Sequence, residues 1–277
     1  MKKFKNGLMR HIVVKLGLQT KQVMCILVAN GNRFPQEKQI VESLLQEFQE
    51  NEGLQGWELK TIIKNSNTKN TNVILGKSNE VLYGEGYIYD KLGEYTFKIS
   101  PMSFYQTNPV QTEVLYQKAI EFAELTGTEI VLDLYCGIGT IGICVAKKAK
   151  KVYGIEIIED AIKDAKENAK LNHIQNIEFL CGDVEIALGK LLEKSGKPNV
   201  IFVDPPRRGL DTMTITNILN TEPSKVIYIS CNPATMVRDL KVLEEKYEIK
   251  KVQPVDMFPY TSHVECCSVL YLKDSIQ

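Results

Sequence analysis

The sequence predicts an α/β protein: a doubly wound, mostly parallel sheet preceded by a smaller α+β unit. Three observations carry that expectation. Beyond residue 100, short apolar runs alternate with helical stretches, as they do where helices cross between parallel strands. A G-x-G-x-x-G run, Gly137–Gly142, falls between the first of those strands and the helix that follows. The last two apolar runs leave no room for a helix between them, so they read as a closing antiparallel hairpin.

Taken in order, residues 1–99 form the leading unit. Strands are expected at Ile12–Val14, Val23–Val28 and Leu59–Ile63, and a helix at Val41–Phe48, after Pro35. Lys64–Asn72 reads as a polar loop, and Gly84 and Gly86 as bends. No motif of chemical interest falls here. Residues 100–277 form the second domain. Its strands are expected at Ile130–Leu134, Val152–Ile155, Ile177–Cys181, Val200–Val203 and Val226–Ser230, with helices such as Ile158–Leu171 and Ala234–Lys246 between them. The hairpin is Ile249–Met257 with Cys266–Leu272. In such sheets ligands bind at the carboxyl ends of the strands, so those ends are where chemistry is sought.

Composition sets the outer limits. The chain has 277 residues, 44% hydrophobic and 25% charged, enough for one or two domains with a large core. This excludes a disordered, collagen-like or disulfide-scaffold protein. No apolar run approaches the roughly 18 residues of a membrane span. The basic start, MKKFKNGLMR, lacks the apolar core and cleavage site of a signal peptide. The seven cysteines include no C-x-x-C pair, and three histidines are too scattered for an obvious zinc site. Free thiols in a reducing compartment, the cytoplasm, are expected. Net charge is zero, yet the first 22 residues carry six basic groups and no acid. That segment suits a polyanionic partner or, equally, a solvated surface.

The strand ends carry the candidates. The glycine run would serve a dinucleotide as well as other nucleosides. Asp133, just before it, is read at the mouth of the site, where it would repel a pyrophosphate. Glu156, closing the next strand, is spaced to reach ribose hydroxyls. Together they favour S-adenosylmethionine, whose ammonium and sulfonium are attracted by carboxylates; a backbone-capping role for Asp133 is the competing reading. Asp183 is placed either to reach an adenine amino group or to cap a helix. Asp204-Pro205-Pro206-Arg207-Arg208-Gly209-Leu210 forms a rigid loop whose arginines suit phosphate. Cys231 stands where a strand gives way to a proline-initiated helix, a position expected to lower its thiol pKa. Glu265 borders the last strand and is read either as a surface group or as pointing into the site. His263 is read as an orienting or packing residue.

DLYCGIGTIG, DPPRRGL, SCNPAT and HVE, in this order, resemble the RNA uracil-5-methyltransferase family, as does Phe104-Tyr105-Gln106-Thr107-Asn108 with its F-x-Q motif. The resemblance spans residues 100–277, and Gly7–Leu16 is similar to the family's central domain. It implies a class I S-adenosylmethionine-dependent methyltransferase fold, with Cys231 as nucleophile and Glu265 as general base. It also implies cofactor contacts from Gln106, Tyr135, Thr140, Glu156, Asp183 and Asp204; Thr140 stands where some members have Asn. Phe104 is expected to stack on the substrate base, and Arg207 and Arg208 to meet RNA. Two departures stand out. The family's N-terminal β-barrel domain is not expected within these residues, and only Cys25 precedes residue 136, so no iron–sulfur cluster is expected in this chain. The motif details lean toward 23S ribosomal RNA, with the tRNA T-loop as the alternative substrate. An amino-methyltransferase is a further alternative on the D-P-P motif, although Arg207 stands where that motif has an aromatic residue. A non-catalytic RNA-binding fragment is the last. No membrane or protein partner is implied.

Overall fold

The computed structural model describes residues 7–273, the side chains at 185, 190, 194 and 195 excepted. It divides into two compact units, one up to Ser103 and one from Phe104 onward.

The first unit is built on a four-stranded sheet. Its elements are β1 (Met9–Gly17), β2 (Gln22–Ala29), α1 (Glu37–Glu50), β3 (Glu58–Ser66) and β4 (Ser78–Gly84), then a separate hairpin of β5 (Ile88–Leu92) and β6 (Tyr95–Ile99). The strand order is β1-β2-β3-β4, with β2 and β3 parallel and the outer pairs antiparallel. The parallel pair requires a crossover, and α1 supplies it. Val23, Cys25, Leu27, Leu59 and Ile62 pack against Ile40, Val41, Leu44, Leu45 and Phe48 of that helix. Each such aliphatic taken out of water contributes roughly 1.5–3 kcal/mol.

The structure corrects the sequence reading here at three points. The helix begins at Glu37, one turn before the apolar stretch that signalled it. Lys64 and Asn65 belong to β3 rather than to a loop; Lys64 is buried because Glu37 and Glu80 both pair with its ammonium. The strands β4, β5 and β6 were not anticipated at all. Of the six leading basic groups, Lys2, Lys3 and Lys5 lie outside the described residues. The other three are engaged within this unit. Arg10 donates to the carbonyls of Asn67 and Lys69, Lys15 to those of Ser100 and Ser103, and Lys21 stands over the Trp57 ring.

The second unit opens with α2 (Pro109–Ala123), capped by Asn108, whose side chain accepts from the Gln111 amide. Then β7 (Ile130–Leu134), α3 (Thr140–Ala146), β8 (Lys151–Glu156), α4 (Glu159–Leu171), β9 (Ile177–Cys181), α5 (Val184–Ser195), β10 (Val200–Val203), α6 (Thr212–Thr221), β11 (Lys225–Ser230) and α7 (Pro233–Leu243) alternate as expected. The chain ends in β12 (Tyr247–Val255) and β13 (Glu265–Leu272). The sheet order is β12-β13-β11-β10-β7-β8-β9. Strands β7 to β11 are mutually parallel, and β13 inserts antiparallel between β11 and β12. Val131, Leu132, Ile201, Phe202, Val226 and Ile227 are fully buried, as central parallel strands covered on both faces require. The order reverses at β7, and the crevice at such a switch point is the expected ligand site. Among the described residues, no helix is long and apolar enough to cross a membrane.

Candidate active site

A cavity of about 540 Å³ opens at the carboxyl ends of the parallel strands of the second unit. Each of those ends delivers a candidate residue to it: Tyr135 after β7, Glu156 at the end of β8, Asp183 after β9, Asp204 after β10 and Cys231 after β11. Phe104, Gln106, Arg207, Arg208 and Glu265 complete the set expected from the sequence. Thr140 is the exception. It is not among the lining residues, and its hydroxyl pairs with that of Tyr116 at 3.1 Å.

Glu265 reaches the cavity by a different route. Because β13 runs antiparallel to β11, its first residues lie beside the last residues of β11, and Ser230 pairs with Cys266. The next positions outward are Cys231 and Glu265, so the register itself brings thiol and carboxylate together. Glu265 is 2% exposed, which decides between the two readings the sequence left open. Burial pushes its pKa up, and Arg207 counteracts this.

Two acids differ from expectation. Asp133 is fully buried and not at the mouth of the site. One carboxylate oxygen accepts from the Gly142 amide at 2.8 Å, tying the glycine loop to the start of α3, while the other has no hydrogen-bond partner. Burial raises its pKa to about 7. It is the backbone-capping reading that the geometry supports. Glu156 accepts from the amides of Gly137 at 3.2 Å and Ile158 at 3.0 Å, so its carboxylate is oriented at the cavity wall. Asp204 is pushed to about 8, first by burial, then by Glu265 and Asp133.

Cys231 also departs from expectation. Its pKa is raised, not lowered: burial, Glu265 and Asp204 outweigh Arg207 and the backbone amide that favour the thiolate. The start of α7 lies two residues further on, at Pro233, and the neighbouring acids decide the sign. Negative charge on Glu265 or Asp204 therefore disfavours the Cys231 thiolate.

The arginine loop is fixed from α7, partly by Asp239 and Arg238, which no motif announced. Asp239, fully buried on α7, accepts from the Leu210 amide at 2.7 Å, the Tyr228 hydroxyl at 2.6 Å and the Arg238 guanidinium. Arg238 donates onward to the carbonyl of Arg208. Asn232 and Thr235 hold the Arg207 carbonyl from the start of the same helix. Gly209 is required at the close approach: its φ is +79°, and a Cβ there would lie 2.5 Å from the Asp239 carboxylate. The cavity also takes in Asp211, Ile157, Ile158, Val184 and Phe258. Asp211 caps α6 and accepts from the Tyr135 hydroxyl at 3.2 Å. His263 is exposed and stands edge-on to Phe258, with ring centroids 6.5 Å apart. Among the described residues, no group of three or more His, Cys, Asp or Glu is placed to hold a metal ion.

Comparison with known proteins identifies the family. An uncharacterized RNA methyltransferase of Oceanobacillus iheyensis is 48% identical over 268 residues, and one of Halalkalibacterium halodurans 48% over 269. They cover 96% and 97% of this chain, which spans 57% of the length of each. The Pyrococcus abyssi tRNA (uracil-54, C5)-methyltransferase, solved with S-adenosyl-L-homocysteine, superposes with a TM-score of 0.77 at 30% identity. The match covers 96% of this chain and 60% of that one. Trm5b from the same organism shares the fold at 16% identity, with a TM-score of 0.59 over 90% of this chain and 72% of its own. The sequence model of the tRNA (Uracil-5-)-methyltransferase family matches residues 37–273, and the chain belongs to that family.

Proposed function

We propose that this chain transfers a methyl group from S-adenosylmethionine to C5 of a uridine in RNA. The observation that carries the reading is the apposition of Cys231 and buried Glu265 on neighbouring strand ends, in one cavity with Glu156, Asp183 and Asp204. The cavity fits the donor chemically. Its carboxylates suit an ammonium and a sulfonium, Glu156 suits ribose hydroxyls, and Ile157, Ile158 and Val184 offer apolar surface to an adenine. When bound, S-adenosylmethionine supplies the methyl group.

The chain's own residues supply the rest. Cys231, as thiolate, adds to C6 of the uracil, which makes C5 nucleophilic enough to take up the methyl. Glu265 then accepts the C5 proton; the C5–C6 double bond re-forms, the C6–S bond breaks and the thiolate is returned. The base must be unstacked to reach the cavity, and Phe104, 71% exposed at the rim, is the proposed stacking partner. Arg207 and Arg208 are proposed to meet the RNA. The leading unit is proposed as an RNA-binding surface. With Arg10, Lys15 and Lys21 occupied by intramolecular partners, Lys2, Lys3 and Lys5 are the phosphate contacts to test. The location proposed is the cytoplasm, where free thiols persist.

The proposed RNA is 23S ribosomal RNA, on the strength of the DLYCGIGTIG and DPPRRGLD patterns. The tRNA T-loop is the competing substrate, supported by the tRNA methyltransferase from Pyrococcus. A denaturing gel with radiolabelled S-adenosylmethionine and either RNA tests both points. Wild type should methylate uridine C5 in one of the two. Cys231→Ala should give neither product nor adduct, and Glu265→Gln should accumulate a labelled protein–RNA band. Near-normal methylation by Cys231→Ala removes the covalent mechanism.

A further inference from the structure

Between cavity-lining Phe258 and cavity-lining Glu265, the chain makes a turn that local chemistry does not explain. The Thr261 amide donates to the Phe258 carbonyl at 3.2 Å, closing a four-residue turn over Phe258-Pro259-Tyr260-Thr261. The Thr261 hydroxyl reinforces it at 2.8 Å and in turn accepts from the His263 amide at 3.1 Å. Proline second and positive φ third is the pattern of a type II turn, whose third place belongs to Gly or Asn. Here that place is Tyr260, at φ 67°. A bulky residue is strained there, and Tyr260 gains nothing by packing, since its relative exposure is 108%. A large aromatic ring is thus held in a disfavoured backbone conformation, wholly in solvent, on the loop that leads into the reactive cavity. Strain of this kind concentrates at ligand-binding segments.

We propose that Tyr260 is a stacking platform for an unpaired nucleobase flanking the reactive uridine, a subsite outside the cavity. This rests on the reading of the substrate as RNA. Every base offers a π face to an aromatic ring, and a base next to a flipped uridine has lost one stacking neighbour. The turn is braced from below, because Phe258 packs against His263 and faces the cavity. The turn therefore places Tyr260 between two cavity-lining residues, Phe258 and Glu265. Cavity and platform would read different nucleotides: one the target, the other its neighbour.

The test is fluorescence anisotropy of a labelled single-stranded RNA, one uridine among adenosines, with wild type, Tyr260→Asn and Tyr260→Phe. Asn tolerates positive φ, so Tyr260→Asn should keep or raise the melting temperature while weakening RNA binding about 5- to 150-fold. Tyr260→Phe should bind like wild type. The salt dependence of binding should be the same for all three, because no phosphate contact is lost. Unchanged RNA affinity in Tyr260→Asn overturns the proposal, as does a sharp fall in its melting temperature, which would make the ring a structural prop. Wild type that binds S-adenosylmethionine but no RNA overturns the parent reading instead, and this inference with it.

Discussion

The two halves of the cavity treat carboxylates in opposite ways. On the β7–β9 side, Glu156 accepts from two backbone amides, which orient its carboxylate. On the β10–β11–β13 side, the carboxylates of Asp204 and Glu265 accept no hydrogen bond from the described residues, and burial pushes both toward the neutral form. The first side is built to hold a ligand in a fixed pose. The second is left electrostatically incomplete, and in the proposed reaction it is the side where a proton moves. The fold assigns the tasks: parallel strand ends with helix starts supply amides on one side, and an inserted antiparallel strand supplies an unpaired acid on the other.

Four measurements would sharpen or break that contrast. The largest effect should come from exchanging the halves' defects. Glu265→Gln should abolish turnover and leave S-adenosylmethionine affinity near wild type. Glu156→Gln should weaken that affinity about 10- to 150-fold with little change in rate at saturation. If calorimetry and single-turnover kinetics give the same pattern for both variants, the division of labour is wrong.

Next comes Asp133, which the fold keeps buried with one unpartnered oxygen. Its folded pKa of about 7 lies above the ordinary 3.8, so the folded state binds the proton more tightly than the unfolded state. Stability associated with that proton is complete at low pH and declines as pH rises toward 7. Asp133→Asn should remove this decline and be more stable than wild type above neutrality, by up to about 4 kcal/mol. Equal denaturation midpoints at alkaline pH would contradict it.

Gly209→Ala should cost about 1–3 kcal/mol, since it adds a Cβ at positive φ against Asp239. It should also lower methyl transfer by loosening the loop that carries Arg207. Unchanged urea midpoint and activity would show that the loop tolerates the intrusion.

The smallest effect is expected at Arg207. It favours the thiolate of Cys231 and the carboxylate of Glu265. Arg207→Ala should shift the pH profile of Cys231 alkylation to higher pH by less than about one unit, because the side chain is solvated. Iodoacetamide kinetics across pH read this directly; a shift to lower pH would reverse the assignment.

The seven-stranded sheet was legible because its parallel strands are short, mostly apolar runs separated by helical stretches, and the central ones, β10 and β11, are almost wholly buried. Its site residues were legible where they sit at strand ends, which sequence order alone predicts. What escaped were consequences of contacts distant in sequence. The burial of Glu265 depends on where β13 inserts. The pKa of Cys231 depends on acids 27 and 34 positions away, and those outweigh its local helix. Asp239 is one charged residue on an amphipathic helix, with nothing in its neighbours to announce three hydrogen-bond partners. In the leading unit, β4 is almost wholly exposed and lacks an apolar face to signal it. The β5–β6 hairpin turns on two residues, Gly93 and Glu94, and only the glycine hints at it.

The placement of β13 bears on how the protein is made. It is the last strand to leave the ribosome among those described, yet it occupies an interior position of the sheet. Until it arrives, β11 has an open edge bearing Val226, Ile227 and Tyr228, and open apolar edges invite pairing with other chains. During that interval Cys231 has already been synthesised, but its acid has not. A nascent chain therefore holds the Cys231 thiol without the carboxylate proposed to act with it. Completing the sheet closes the aggregation-prone edge and brings the Glu265 carboxylate beside Cys231 in one event.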